Sequence, residues 1–257
     1  MSKLFESLKY FTVMFQIRTN YFKYIRAVFL YRLKRNVEFP RAILKLKNAK
    51  FITRENSMDI AHLSNFYERE TTNLLLRLNP KTFIDVGAHI GRFSIILAKQ
   101  GSKVISIEPS KDNFEQLNKN IELNNLHGKI NGINIGCSDR SGEKILYFIP
   151  GNEGLTSLEE RERERAKKEI IKTERLDNIC KNLHLNSKSI DVIKADVEGF
   201  ELNVLKGSYN ILKNASPLLI IEITDKKKEK PIKNFLAKFD FINKEILDGR
   251  NFIFMKR

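Results

Sequence analysis

The 257-residue sequence is poor in the residues that build disulfide scaffolds and membrane spans. It holds only two cysteines, Cys137 and Cys180, and no tryptophan. The cysteines lack C-x-x-C spacing and a nearby pair of histidines, which argues against a zinc site and a disulfide framework. The longest charge-free stretch near the start, residues 10–17, is far shorter than the ~20 apolar residues that a membrane-spanning helix requires. No small-residue cleavage site follows it, so we expect no signal peptide and a cytoplasmic protein with reduced thiols.

Acidic residues are also few relative to basic ones. The chain has 31 Asp and Glu against 46 Lys and Arg, a formal net charge of +15. Such an excess favours anionic partners, nucleic acid or an acidic membrane surface, but it also occurs where lysines only maintain solubility. With 42% hydrophobic and 30% charged residues, and with few Gly and Pro, the composition excludes wholesale disorder and low-complexity architecture.

Residues 1–36 differ from the rest because they are aromatic and basic, with eight Lys or Arg and one acid. Their apolar residues recur at three- and four-residue steps, which predicts one helical face. These residues are Leu4, Leu8, Phe11, Phe15, Phe22, Ile25 and Phe29. The face suits packing on the protein's own domain or a second subunit, and it equally suits a membrane interface; nucleic acid is a third alternative. We predict a helical extension over residues 1–78 that contacts one of these surfaces.

From residue 79 to 257, short β-rich runs alternate with helical segments, which predicts a doubly wound α/β domain. The strand candidates are Thr82–Val86, Lys103–Ile107, Ile130–Ile135, Ile190–Ala195 and Leu218–Ile223. The chain ends in a predicted antiparallel hairpin turned by Asp248-Gly249. The charged stretch from Ser157 to Arg175 predicts a solvated helix, or alternatively a charged lid over the substrate. Ligands of such sheets bind beyond the carboxyl ends of the strands, so the residues there are the functional candidates.

The first strand ends in Asp85, after which Gly87 and Gly91 bracket a turn into a helix. Glycine lets the backbone approach a ligand, and the helix start offers unpaired N–H groups. The turn lacks the G-x-G-x-x-G and P-loop patterns, and an acid before it suits a positive group such as an amino group rather than a pyrophosphate. The alternative is that the glycines serve only helix packing. His89, within the turn, either hydrogen-bonds the loop or acts as a base.

The next strand ends in Glu108-Pro109, where an acid can bind the ribose hydroxyls of a nucleoside. An adenosine ligand without phosphate points to S-adenosylmethionine. Asp139, after the third strand, is interpreted as an adenine contact or as a turn former. The fourth strand ends in a cluster of Lys194, Asp196 and Glu198, which makes a general base plausible. A divalent metal held by Asp196 and Glu198 is the rival use of this cluster.

Together these motifs resemble the FkbM family of S-adenosylmethionine-dependent methyltransferases. The resemblance extends from Thr82 to Glu222 and is carried by Asp85-Val-Gly-Ala-His-Ile-Gly91, Glu108-Pro109, Cys137-Ser138-Asp139, Arg175-Leu-Asp177 and Lys194-Ala-Asp-Val-Glu-Gly-Phe-Glu201. It departs from the family pattern in His89, where Asn is usual, and in Ala195, where Ile is usual. It implies a Rossmann-like, seven-stranded, mostly parallel sheet and methylation of a hydroxyl oxygen.

The resemblance also implies roles for single residues. The predicted cofactor-binding residues are Asp85, Gly87, His89, Gly91, Glu108, Pro109, Ser138, Asp139 and Asp196. The predicted catalytic residues are Asp196, Glu198 and Glu222, with Asp196 as the base, and no metal is assigned. We expect a saccharide or other small-molecule acceptor. The alternatives are an RNA methyltransferase, although the Asn/Asp-Pro-Pro-Tyr motif is absent, and a non-catalytic nucleoside-binding scaffold. The location is expected to be cytoplasmic, with peripheral membrane contact through residues 1–36 as an option.

Overall fold

The structure is a computed structural model that describes residues 16–32, 39–149, 152–157 and 167–257. The first seven of its strands are β1 (Ile43–Leu46), β2 (Ala49–Ile52), β3 (Thr82–Val86), β4 (Lys103–Ile107), β5 (Ile130–Ile133), β6 (Gly136–Cys137) and β7 (Gly142–Ile149). The others are β8 (Asn152–Ser157), β9 (Lys167–Glu174), β10 (Val192–Ala195), β11 (Leu218–Glu222), β12 (Phe241–Leu247) and β13 (Asn251–Lys256). The helices are α1 (Tyr21–Arg32), α2 (Asp59–His62), α3 (Arg69–Leu78), α4 (Arg92–Gln100), α5 (Lys111–Leu123), α6 (Leu176–Asn182), α7 (Glu201–Gly207), α8 (Tyr209–Asn214) and α9 (Lys226–Ala237).

The main sheet has seven strands in the order β12-β13-β11-β10-β3-β4-β5. The strands from β11 to β5 are parallel, while β13 runs antiparallel to both β11 and β12. The predicted α/β class, the seven-stranded mostly parallel sheet and the terminal hairpin are therefore confirmed. Because β3 and β10 are central and buried over their whole length, both are apolar except for the charged side chains near their carboxyl ends.

A second sheet of four strands, in the order β6-β9-β7-β8, was not predicted. The prediction of a solvated helix over Ser157–Arg175 is wrong for Lys167–Glu174, which forms β9 and pairs with β7 along most of its length. The physical reason is a period of two, because Ile171 and Thr173 are buried while Lys172 between them is exposed. Residues 158–166, which hold the rest of that predicted helix and the alternative lid, lie outside the described residues.

The predicted N-terminal helix is observed over Tyr21–Arg32, whereas residues 1–15 and 33–38 lie outside the described residues. The predicted apolar face is wrong at Phe22, which is 84% exposed, while Tyr24 and Ala27 are buried instead. The extension is also not wholly helical, because β1 and β2 form an antiparallel hairpin within it. No helix in the described ranges is both long and apolar enough to cross a membrane.

The hairpin is held against the α/β domain by asparagine side chains of α5. Asn120 and Asn124 accept hydrogen bonds from the backbone N–H groups of Ile52 (2.8 Å) and Lys50 (2.9 Å), and so partner the otherwise unpaired edge of β2. Phe51 also belongs to the same apolar cluster as Phe83 of β3. The boundary at residue 78 stays a prediction, but residues 42–75 contribute to the core of the domain that follows.

Gly87, in the turn after β3, is required by both space and backbone conformation. It has φ of +82°, and a Cβ there would lie 1.9 Å from the carbonyl oxygen of Asp196. Gly101 also has a positive φ, +112°, but an added Cβ would meet nothing within 4 Å. The turn and the end of β10 are therefore in direct backbone contact.

We predict that Gly87→Ala destabilises the protein more than the matched control Gly101→Ala. Both substitutions place alanine in left-handed backbone, which costs about 1–2 kcal/mol, but only Gly87→Ala adds an overpacking cost of about 1–3 kcal/mol. Urea unfolding of the two variants measures the difference. Equal losses in the two variants would show that the turn does not pack tightly on β10.

Candidate active site

A crevice lies beyond the carboxyl ends of the central parallel strands. Seven of the predicted site residues line it: Asp85, Gly87, His89, Glu108, Pro109, Asp196 and Glu198. His62, Tyr67 and Glu68, from the segment that precedes the predicted domain, also line it. The crevice therefore combines strand ends of the main sheet with the chain around α2 and the start of α3.

Glu108 forms one end of the crevice and is almost fully buried. Its Oε2 accepts a hydrogen bond from the His89 backbone N–H (2.8 Å), and its Oε1 accepts from the Ser110 N–H (3.0 Å) and Asn113 Nδ2 (3.3 Å). Burial raises the pKa of Glu108 to about 7, against the lowering effect of these donors. A carboxylate offers roughly four lone-pair sites, so about one is left for a ligand hydroxyl rather than the two we expected.

Arg54 connects the residues that surround Glu108. Its guanidinium donates to Asn113 Oδ1 (2.9 Å), lies 3.4 Å from His89 Nε2, and forms an ion pair with Asp59 (2.7 Å). His89 has φ of +51°. Burial lowers the pKa of His89 to about 4, which leaves the ring neutral near pH 7. A neutral, hydrogen-bonded His89 supports the loop interpretation over a proton-transfer role.

Asp85 is buried at the end of β3, where Ser94 Oγ donates to its Oδ2 (2.6 Å) and Ser106 Oγ donates to Ser94 (2.7 Å). Lys194 is its register partner on β10. Burial raises the pKa of Asp85 to about 6, although the positive charge of Lys194 opposes the rise. The carboxylate thus already faces a cation of the protein.

A cluster of five charged side chains forms the other end of the crevice. Lys194, only 2% exposed, places its Nζ 2.9 Å from Asp196 Oδ2 and 3.8 Å from Glu68 Oε2. Arg250, which directly precedes β13 in the terminal hairpin, binds Glu68 Oε1 through Nη2 (3.1 Å) and Glu222 Oε1 through Nε (2.7 Å). Two cations therefore alternate with three carboxylates.

The carboxyl groups of Asp196 and Glu222 are coupled by a hydrogen bond. Burial, together with the negative charge of Asp196, raises the pKa of Glu222 to about 11. Burial acts in the same direction on Asp196, but the Lys194 ammonium and the Glu222 hydrogen bond outweigh it and hold the pKa of Asp196 well below its usual range. Asp196 is therefore the more acidic member of the pair, and Glu222 is the more basic one.

Within the described part of the chain, Glu68, Asp196 and Glu222 have oxygens that all lie within 4.8 Å of one another. This spacing resembles that of metal ligands, but Lys194 and Arg250 already form ion pairs with these carboxyl groups. We therefore interpret the group as an ion-pair cluster. The sequence suggested Asp196 and Glu198 as an alternative metal site, but Glu198 is not a member of this group.

Four predicted site residues do not line the crevice. Gly91 begins α4 with φ of +87°, and an added Cβ would lie 2.4 Å from Leu117. Ser138 follows the lining residues Gly136 and Cys137 in the chain; it is buried, and its Oγ donates to Asp139 Oδ1 (2.9 Å). Glu222 does not line the crevice, but its carboxyl group contacts Asp196 and Arg250 and lies near Glu68.

Three charged site residues were missed by the sequence analysis, Arg54, Glu68 and Arg250, as were the lining residues His62 and Tyr67. The first two belong to the segment that we assigned to the extension, and no motif surrounds them. Arg250 had one available signal, since it is a charged residue directly before the buried strand β13. Its contact with Glu68 joins chain positions 182 residues apart, which a local pattern does not reveal.

Arg92 fixes the segment that carries Tyr67 and Glu68. Its guanidinium donates to the carbonyl oxygens of His62 (2.7 Å), Ser64 (3.1 Å) and Tyr67 (2.8 Å). Because Arg92 directly follows Gly91 in the turn after β3, one buried side chain connects this segment to the glycine turn. The wall of the crevice is thereby positioned by the residue next to the motif.

The fold and this strand-end crevice are those of a Rossmann-like methyltransferase domain. The family model described as the Methyltransferase FkbM domain matches residues 85–254, more than half of the chain. The chain belongs to this family.

Proteins with low sequence identity to this chain are also described as methyltransferases. The chain is 28% identical over 152 residues to Methyltransferase sdnD of Sordaria araneosa (48% of this chain, 59% of that protein). It is 30% identical over 139 residues to Hexuronic acid methyltransferase AglP of Haloferax volcanii (54% of each). A crystal structure of methyltransferase FkbM from Methylobacillus flagellatus superposes with a TM-score of 0.50 at 17% identity, covering 69% of this chain and 44% of that one. The matches span 54–65% of the length of the curated relatives.

We predict that Asp85→Asn changes how stability depends on pH. Because the pKa of Asp85 is raised in the folded protein, its proton stabilises the fold at low pH, and this contribution is lost as the pH rises from about 4 through about 6. Wild type should lose about 2–3 kcal/mol relative to Asp85→Asn across that range. Urea unfolding of both proteins at a series of pH values measures the difference, and parallel stability curves would contradict the assignment.

Proposed function

We propose that the chain transfers a methyl group from S-adenosylmethionine to a hydroxyl oxygen of a saccharide or another small molecule. The observation that supports this most strongly is the arrangement of the crevice. A buried carboxylate, Glu108, lies at one end, the ionised carboxylate of Asp196 lies at the other, and the glycine turn after β3 lies between them. Family membership supplies the reaction class.

The residues of the crevice suit a nucleoside without phosphate groups. Glu108 keeps about one acceptor site for a ribose hydroxyl, and Asp85 is an anion next to the backbone turn at Gly87. The wall between these groups includes apolar Ile107 and Val197. Hydrogen-bond acceptors and a carboxylate at the glycine turn, rather than a cluster of cations, are what a phosphate-free adenosine with an amino group requires.

When bound, S-adenosylmethionine supplies an activated methyl group on a sulfonium. The protein then has to align the acceptor oxygen for an in-line displacement and receive the hydroxyl proton. Asp196 is suited to the second task because it is ionised, lines the crevice and is held by Lys194 at 2.9 Å. Its low basicity is compatible with this role, since a hydroxyl becomes strongly acidic once the methyl bond forms. Glu222, whose carboxyl group contacts both Asp196 and Arg250, helps to fix the orientation of Asp196.

The saccharide acceptor is favoured by one relative. AglP of Haloferax volcanii, to which the chain is 30% identical over 139 residues, is described by its name as a hexuronic acid methyltransferase. A cytoplasmic location and membrane contact through residues 1–36 remain predictions from the sequence.

Incubation of the purified protein with methyl-labelled S-adenosylmethionine and with saccharide, lipid and RNA fractions of a cell extract tests the proposal. We expect label in a saccharide-containing fraction. Label in RNA would instead support the nucleic-acid alternative that the net charge of +15 suggests. Failure to form S-adenosylhomocysteine with any fraction would support a non-catalytic scaffold.

We predict that Asp196→Asn abolishes proton acceptance but preserves the shape of the crevice. Turnover on the labelled fraction should fall by about 10²–10⁴-fold, the typical contribution of a general base. Binding of S-adenosylhomocysteine, measured by calorimetry, should be retained, because the Glu108 end is unchanged. Full turnover in this variant would place the base elsewhere.

A further inference from the structure

Glu68 is a buried carboxylate in the crevice wall that lies before the family-matched residues 85–254. It is 4% exposed and has φ of +42°, a left-handed conformation that is uncommon for residues other than glycine. Such strained positions persist only where the surrounding structure holds them. The position of Glu68 is therefore imposed by its neighbours.

The neighbours that impose it are on α3 and on the terminal hairpin. The Thr72 N–H and Oγ1 both donate to the Glu68 carbonyl oxygen (2.9 and 2.7 Å). Asp248, in the hairpin turn, accepts from the N–H groups of Glu70 (3.0 Å) and Thr71 (2.9 Å), and its own N–H donates to the Glu70 carboxylate (2.6 Å). The start of α3 is thus fastened to the turn that leads to Arg250.

The two carboxylate oxygens of Glu68 have different surroundings. Oε1 accepts from Arg250 Nη2 at 3.1 Å. Oε2 is buried and has no hydrogen-bond donor within the described residues, and Lys194 Nζ lies 3.8 Å from it. Pairing with Arg250 explains the position of Oε1 but leaves Oε2 without a hydrogen bond. The negative charge on Oε2 is weakly screened, because the crevice is largely shielded from water.

The balance of charges in the crevice indicates what this oxygen does. Lys194 and Arg250 are two buried or half-buried cations at a site proposed to bind a sulfonium, which is itself a cation. Glu68, Asp196 and Glu222 provide the opposing carboxyl groups. Removing the charge of Glu68 makes the cluster more positive by one unit, whatever the protonation state of Glu222. Such a change disfavours a cationic ligand and leaves a neutral ligand of the same shape unaffected.

We propose that Glu68 is a specificity-determining residue whose carboxylate makes the crevice favour cationic S-adenosylmethionine over its neutral product, S-adenosylhomocysteine. The inference rests on the proposed function. It gives the segment before residue 85 a direct part in cofactor discrimination and product release.

Calorimetric titration of the full chain with each of the two ligands tests it through the ratio of their dissociation constants. Glu68→Gln should weaken S-adenosylmethionine binding by about tenfold relative to S-adenosylhomocysteine, as expected for one charge at close range in a partly desolvated site. The matched control is Glu122→Gln, which alters an exposed carboxylate near the end of α5, outside the cluster, and should leave the ratio unchanged. The product's affinity is an internal control, because a damaged crevice weakens both ligands equally.

Arg250→Gln provides a second variant of opposite sign. It removes a cation from the same cluster and should shift the ratio towards S-adenosylmethionine, so the inference remains testable if Glu68→Gln does not fold. An unchanged ratio in the folded Glu68 variant, or shifts of the same sign in both variants, would overturn the inference while leaving the proposed function intact. Wild-type protein that binds neither ligand would overturn the proposed function and the inference with it.

Discussion

A lysine buried at the end of an interior strand determines the arrangement of the site. Lys194 is removed from water at the carboxyl end of β10, and an ammonium ion in such a place is stable only beside carboxylates. Asp196, directly after the same strand, and Glu68, directly before α3, meet this requirement. Arg250 supplies a second cation, which forms ion pairs with the carboxyl groups of Glu68 and Glu222. The charged end of the crevice is therefore a single coupled unit.

The segment before the family-matched residues is part of this unit. Arg92, within the matched region, binds three carbonyl oxygens of residues 62–67, and the terminal hairpin fastens the start of α3. At the other end of the crevice, Arg54 contacts Asn113 and His89 around Glu108. Residues 54–68 therefore contribute to both ends of the crevice, and the carboxyl ends of the parallel strands form the rest of it.

The sequence predicted the elements whose signal is local. Apolar runs such as Thr82–Val86 gave the sheet, Asp248-Gly249 gave the hairpin turn, and the strand ends gave Asp85, Glu108 and Asp196. Long-range contacts could not be predicted in this way, because nothing near Glu68 indicates a partner at Arg250. Lys167–Glu174 was mistaken for part of a helix because the charge pairs of the stretch Ser157–Arg175 suit i,i+4 spacing, whereas pairing with β7 decided its conformation.

The central claim is that the strand-end crevice holds an adenosine-containing methyl donor between Glu108 and Asp196. A crystal structure of the protein grown with S-adenosylhomocysteine tests it most directly. The account predicts a ribose hydroxyl within hydrogen-bond distance of the Glu108 carboxylate and the sulfur on the side of the crevice that faces Asp196. A ligand bound elsewhere, or a crevice that keeps its lining side chains in place and excludes the ligand, would contradict the account.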